Sequence, residues 1–166
     1  MNSEALDYLR RHSGLSLSEE GVFFFHGQVV PNPRVQALFH SGLEVRPDGD
    51  VTLTVGSQWA YVSCAGVARF IDSVGVTAEG LVISLRGHER AVSANPFLGI
   101  SPDERFYFWE AKKGPPAVFT RSAHQQLAGL LSNCVAGRLK LNLASHDVPV
   151  ITLRRNPRAH EVFEEL

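Results

Sequence analysis

The run Gly21-Val22-Phe23-Phe24-Phe25-His26-Gly27-Gln28-Val29-Val30, continued by Pro31-Asn32-Pro33-Arg34-Val35-Gln36-Ala37-Leu38-Phe39, reads as a β-hairpin feeding a capped helix. Val22 to Phe25 suit a pleated surface, His26-Gly27 supplies turn chemistry, and Gln28 to Val30 return as a second strand. Asn32 offers a side-chain oxygen to an open helix end, and Pro33 brings a φ already set for the first helical position. Val35, Leu38 and Phe39 then recur at i, i+3 and i+4, which predicts a buried stripe that runs out at Gly42.

Working outward, Ser3 to Arg11 reads as a short helix with Leu6 and Leu9 on one face, stopped by Gly14. Beyond Gly42 the period changes from helical to alternating. Leu43 to Arg46, the turn Pro47-Asp48-Gly49-Asp50, and Val51 to Val55 predict a hairpin, and Trp59 to Val62 the next strand. Val67 to Val76 and Leu81 to Leu85 flank the turn Thr77-Ala78-Glu79-Gly80, and Arg90 to Ser93 reads as a weak short strand. Asn95 to Asp103 reads as a loop, Arg105 to Glu110 as an aromatic strand, and Lys112 to Pro116 as an enforced turn. A second strong helix starts near Thr120 or Ser122, with Ala123, Leu127, Leu130 and Leu131 inward, and stops before Gly137. Leu139 to Leu143 and Val148 to Leu153 form a closing hairpin, and Glu161 to Leu166 a frayed helical end. Strand signals this frequent, with few helices, place the chain in the α+β class with antiparallel sheets, not a parallel nucleotide-binding sheet.

Composition narrows the function classes. With 166 residues, 44% of them hydrophobic, the chain can bury about two thirds of the surface its unfolded form exposes. Sixteen basic against seventeen acidic residues give a net charge of −1, which argues against a global attraction to nucleic acid or to an anionic membrane. The opening residues lack the pattern of a signal peptide and no run reaches the length of a membrane span, so the expected compartment is the cytoplasm. Cys64 and Cys134 form no Cys-x-x-Cys and have no second pair to make a zinc site, and both read as buried, reduced thiols. The seven histidines show no metal-ligand spacing, and no Gly-x-Ser-x-Gly occurs. With no catalytic motif, metal site or cofactor signature, the expectation is a non-enzymatic protein.

Several residues could nevertheless meet a ligand. His26 sits at a hairpin tip, where it either decorates the turn or hydrogen-bonds a ligand. Arg34 occupies the first turn of its helix, against the macrodipole, and needs either an internal carboxylate or an anionic ligand. Trp59, Tyr61, Phe106, Phe108 and Trp109 are candidates for core packing or for a stacking platform. Phe106 and Phe108 share one strand face and Tyr107 and Trp109 the other, so one pair is expected to be less buried. Arg86, His88, Glu89 and Arg90 cluster around Gly87, and Arg69 and Arg121 face the same groove if the sheets pack as read; the alternative is a solvated turn. Lys112-Lys113, Arg154-Arg155 and Arg158 read as solubilising surface.

The short strand, the His26-Gly27 turn, Val29-Val30, Arg34 and Leu38-Phe39 resemble the start of the bacterial family called domain of unknown function 1285. Asp48-Gly49 with Leu53, then Trp59-Tyr61-Val62, is similar to that family's second hairpin and following strand. Pro116 to Arg121 with Leu127 resembles its lead into the C-terminal helix, and the hairpin around Ser145 also has a counterpart. The resemblance implies two tightly packed subdomains, residues 1–66 and residues 67–166, the second pleckstrin-homology-like with a β-barrel-like sheet plus helix. It also implies a ligand groove between them and a signalling role through a small, nucleotide-like ligand; read together with the residue analysis above, the expected residues for a small anionic ligand are His26, Arg34, Trp59, Arg69 and Arg121. The chain departs from the family at Ser63-Cys64-Ala65-Gly66-Val67, where an acidic, proline-containing stretch is usual, so ligand specificity is not carried over. The competing expectation is a protein-interaction adaptor without a small-molecule ligand.

Overall fold

The structure, a computed structural model, describes residues 2–133 and 137–163; Cys134 and the tail beyond Phe163 lie outside the described residues. Helix α1 (Ser3–Arg11) is capped by Asn2, whose side chain accepts from the Ala5 N–H at 2.8 Å. Its predicted apolar face is turned out: Leu6 and Leu9 are 39% and 54% exposed. The helix is held instead by its arginines, with Arg10 lying 3.9 Å from the Trp59 ring and Arg11 4.2 Å from that of Tyr61.

Strands β1 (Leu15–Leu17), β2 (Phe23–Phe25) and β3 (Gln28–Val29) form a sheet that β7 (Ser63–Cys64) joins in parallel beside β1. The β2–β3 turn has positive φ at both His26 (49°) and Gly27 (78°), the geometry that matches the twist of a tight hairpin. Helix α2 (Pro33–Gly42) starts as read, the Asn32 side chain accepting from the Arg34 N–H at 2.9 Å. Its inward face differs. Leu38 is 50% exposed and His40 only 4%, because Gln36 sets the rotation of the helix. The Gln36 side chain accepts from the Phe23 N–H and donates to the carbonyls of Phe23 and Val30, all at 2.9–3.0 Å, so it bolts the helix to the hairpin. Strands β4 (Leu43–Val45), β5 (Val51–Val55) and β6 (Gln58–Tyr61) follow as an antiparallel meander.

The remaining strands make one nine-stranded sheet: β8 (Arg69–Thr77), β9 (Gly80–Leu85), β10 (Arg90–Ser93), β11 (Phe97–Ile100), β12 (Phe106–Trp109), β13 (Ala117–Phe119), β14 (Leu131–Asn133), β15 (Leu139–Asn142) and β16 (Asp147–Thr152). Its order is β10-β9-β8-β13-β12-β11-β16-β15-β14, an open sheet and not a closed barrel. Most pairings are antiparallel, with parallel joints at β13–β8 and β11–β16. Helix α3 (Arg121–Leu130) lies against β8 and buries Ala123 and Leu127. It ends earlier than its apolar spacing implies, because Leu131 to Asn133 leave it to pair with β15.

The short strands β1 and β7 escaped the sequence reading, and so did β11 and β13. β11 lies inside the expected loop between Pro96 and Pro102, and β13 directly follows Pro115-Pro116; each is only three or four residues long. The aromatic strand β12 has no open face, since Phe106, Tyr107, Phe108 and Trp109 are all buried. Phe106 and Phe108 enter a core with Ile71, Leu81, Leu127 and Leu141, while Tyr107 and Trp109 enter a second with Leu17, Phe23, Leu53 and Phe70. This second core draws on both sides of the 66/67 division. The described part of the tail is tied down, not frayed: Glu161 is buried against Arg155, and the Trp109 indole N–H donates to the Glu161 carbonyl at 3.1 Å.

The β9–β10 turn docks on the end of α2. Gly87 has φ 80°, and a Cβ there would lie 2.5 Å from the Ser41 backbone nitrogen. Gly87→Ala is expected to cost about 1–3 kcal/mol, the penalty of a non-glycine residue in that strained region with a backbone clash added. Gly75→Ala, whose Cβ would meet nothing, should stay within about 0.5 kcal/mol of the parent. Urea unfolding of the two variants tests the contrast.

Candidate functional site

A cleft of about 480 Å³ lies where the Glu19-Glu20 segment approaches β8, β13 and the start of α3. Phe70, Val118 and Phe119 form its floor. The end of α3 faces it without a cap: Thr120 has the extended backbone of an N-cap but makes no side-chain cap hydrogen bond, and the first turn holds no acidic residue. Arg121 begins this turn and His124 closes it, and both line the cleft. An uncapped, acid-free helix start retains its positive end for an anion.

Two more arginines complete the walls. The Arg86 backbone N–H donates to the Phe70 carbonyl at 2.8 Å, which sets its side chain beside Asp72 in a two-pronged pair, with Nε at 3.0 Å and Nη2 at 2.7 Å from the carboxylate oxygens. Arg105 donates from Nη2 to the Glu19 carbonyl at 3.1 Å, while its Nη1 lies 3.8 Å from the Glu19 carboxylate. The exposed carboxylates of Glu20 and Glu104 also line the cleft, so it presents both signs of charge. Glu104 has φ 64°, uncommon outside glycine, and this bend brings Arg105 into a double link with Ser101: the Arg105 N–H donates to Ser101 Oγ and the Ser101 N–H to the Arg105 carbonyl. A second, smaller cleft of about 200 Å³ adjoins the first, with Glu19, Arg105 and Val118 common to both and with Tyr107, Asn156 and Arg158 of its own.

Behind Arg86 lies a buried histidine. His40 Nε2 donates to the Gly21 carbonyl at 2.7 Å, and its ring stands edge-on to Phe23 (4.8 Å) and Phe70 (5.6 Å). Burial pushes its pKa down to about 4, against the opposing effect of the Gly21 bond and with Arg86 acting in the same direction as burial. Gly21, at φ 83°, is in the left-handed region that favours glycine, and a Cβ there would lie 2.6 Å from Arg86 Nη1 and 3.2 Å from the Phe70 ring. The cleft wall and the buried imidazole thus share one joint.

Of the five residues expected to bind, Arg121 lines the cleft and four do not; Arg86, from the cluster around Gly87, also lines it. Arg69 is half-buried on β8, where burial lowers its pKa against the charge of Glu110. Trp59 is half-buried under Arg10, with Tyr61 edge-on at 5.3 Å. His26 stays exposed at its turn, its ring close over Gly14 and 4.2 Å from Phe25. Arg34 is exposed in the first turn of α2 and makes no ion pair with a carboxylate among the described residues. Glu19, Glu20, Glu104, Arg105 and His124 carried no local signal; Arg105 and Glu19 meet across 86 positions of sequence. Cys64 is half-buried, and burial raises its thiol to about 11, outside the reactive range. No cluster of three metal-ligating side chains occurs among the described residues, and none of their helices is long and apolar enough to cross a membrane.

No sequence-family profile matches the chain, and neither does any curated protein. Solved structures do. A DUF1285 family protein from Silicibacter pomeroyi superposes with a TM-score of 0.64 at 17% identity, covering 84% of this chain and 80% of that one. A second, from Shewanella baltica, gives 0.52 at 15% identity, over 70% of this chain and 91% of its own. The chain therefore has the fold of DUF1285 family proteins, the family whose resemblance its sequence carries.

The histidine joint makes stability depend on acid. The unfolded chain takes up a proton near the ordinary histidine value of about 6.5, whereas folded His40 stays neutral down to about 4, so stability falls as pH drops through that window. Between pH 7 and pH 4.5 the wild type is expected to lose on the order of 2 kcal/mol more than His40→Gln by this linkage, measured by urea unfolding at both pH values.

Proposed function

We propose that this protein is a non-enzymatic binding module that holds a small anionic, nucleotide-like ligand in the cleft between the Glu19–Gly21 segment and the start of α3. The observation that carries the reading is the uncapped, acid-free first turn of α3 opening into the cleft with Arg121 and His124. Backbone N–H groups at a helix start and a guanidinium together make a site for a phosphate-like anion. The Glu20 and Glu104 carboxylates can accept hydrogen bonds from the amino or hydroxyl groups of such a ligand. A signalling role fits the position of Arg86, which lines the cleft and also lies beside Gly21, the hydrogen-bond partner of His40. Ligand binding at this wall acts on the docking of α2 and the β2–β3 hairpin.

A second reading, a protein-interaction adaptor, draws on Leu6, Tyr8 and Leu9 of α1, which are exposed on a helix that buries none of its residues. The two differ in what they require of Arg121. In a thermal-shift series with inorganic phosphate, pyrophosphate, AMP and GDP at millimolar concentration, at least one compound should raise the melting temperature by several degrees. Arg121→Glu should abolish that shift while leaving the ligand-free melting temperature nearly unchanged, since the side chain is exposed. Absence of any shift across the series in the wild type overturns the binding reading.

A further inference from the structure

The two adjoining clefts are separated by very little. Of their three shared wall residues, Val118 is a buried strand residue, so the movable part of the partition is the Arg105–Glu19 pair. The Glu19 side chain is 51% exposed and its carboxylate lies 3.8 Å from the guanidinium, a contact that stabilises by no more than about 1 kcal/mol. A stronger anion can displace it. On one side of the partition stand Arg121 and His124; on the other stands Arg158, and the smaller cleft has no carboxylate besides Glu19. Arg158 is exposed there; its backbone N–H donates to the buried Glu161 carboxylate, and its side-chain charge also acts on that carboxylate without a direct ion pair. Cationic groups thus lie on both sides of the partition, with Arg105 between them.

We infer that the two clefts form one elongated site for a ligand carrying two anionic groups on a short spacer, with Glu19 as the displaceable gate that selects it over a ligand with a single anion. The inference rests on the proposed anion position at α3. The first anionic group sits at the α3 start beside Arg121, and the second lies between Arg105 and Arg158. When the second group arrives, Arg105 exchanges the distant Glu19 carboxylate for a two-pronged contact, and Glu19 turns into solvent. Two tethered contacts raise affinity beyond either alone because the second forms at a high effective concentration.

Isothermal titration calorimetry with propyl phosphate and with α,ω-alkanediol bisphosphates of three to six carbons tests this. In the wild type one bisphosphate should bind at least about tenfold more tightly than propyl phosphate. Arg158→Ala should erase that advantage while leaving propyl phosphate binding unchanged, and Arg158→Lys should retain most of it. Glu19→Gln should tighten the bisphosphate several-fold more than it tightens propyl phosphate. Equal affinity for mono- and bisphosphates at every spacer length, or an advantage that survives Arg158→Ala, overturns the joined site and leaves the single-anion reading standing. Unchanged selectivity in Glu19→Gln overturns the gate. If no phosphate compound binds the wild type, the anionic-ligand reading fails and the joined site with it.

Discussion

Strand β12 has no solvent face, and the rest of the structure is arranged to meet that constraint. Four consecutive aromatic residues, Phe106 to Trp109, point alternately to opposite sides of the sheet and are buried on both. Each aromatic side chain removed from water stabilises by roughly 1.5–3 kcal/mol, but only if something covers it. On one side α3 supplies the cover through Ala123 and Leu127. On the other the cover comes from Leu17, Phe23, Leu53 and Ala159, drawn from distant parts of the chain. The N-terminal strands and α2 are therefore not an appendage to the nine-stranded sheet; they complete its second core.

That packing also decides where charge collects. Covering β12 brings the Glu19-Glu20 segment up to Arg105, which immediately precedes the strand, and brings Gly21 up to Arg86 at the end of β9. The second region constrains residue type: positive φ and close neighbours favour glycine at position 21, and His40 is a neutral imidazole whose Nε2 carries the proton it donates to the Gly21 carbonyl. The clefts are the spaces left between these contacts. Their arginines are held by partners of unequal strength, Arg86 by a short two-pronged carboxylate pair and Arg105 by one carbonyl and a distant carboxylate. Of these two, Arg105 has the more to gain from an external anion.

The parts legible in the sequence are those whose cause lies within a few residues. The hairpin at His26-Gly27, the Asn32-Pro33 cap and the 51–55 strand follow from turn chemistry, capping and alternation, and all three stand in the structure. Errors arose where a distant partner overrules local pattern. Leu6 and Leu9 have helical spacing but lose the interface to two arginines stacked on Trp59 and Tyr61, and Leu38 loses its place because Gln36 hydrogen-bonds the hairpin and turns the helix. β11 and β13 are too short to show a period and lie close to prolines, which mark turns when read locally. Of the site, Arg86 and Arg121 could be singled out as charge beside glycine or a helix start; Arg105, His124 and the three glutamates look like ordinary surface residues until the chain is folded.

By itself the sequence determined the α+β class, the order of most strands, the starts of the helices and a resemblance to the DUF1285 fold, because propensity, capping and periodicity act over a turn or two of chain. Only the tertiary structure decided that Arg34, Trp59, Arg69 and His26 stand outside the principal cleft and that Arg105 stands within it. It also decided that the free end of α3 opens there. The reason is physical: a concave site is made by the packing of segments that are far apart in sequence, here Glu19 against Arg105 and Gly21 against Arg86, and no local rule specifies which segments a buried aromatic strand will bring together.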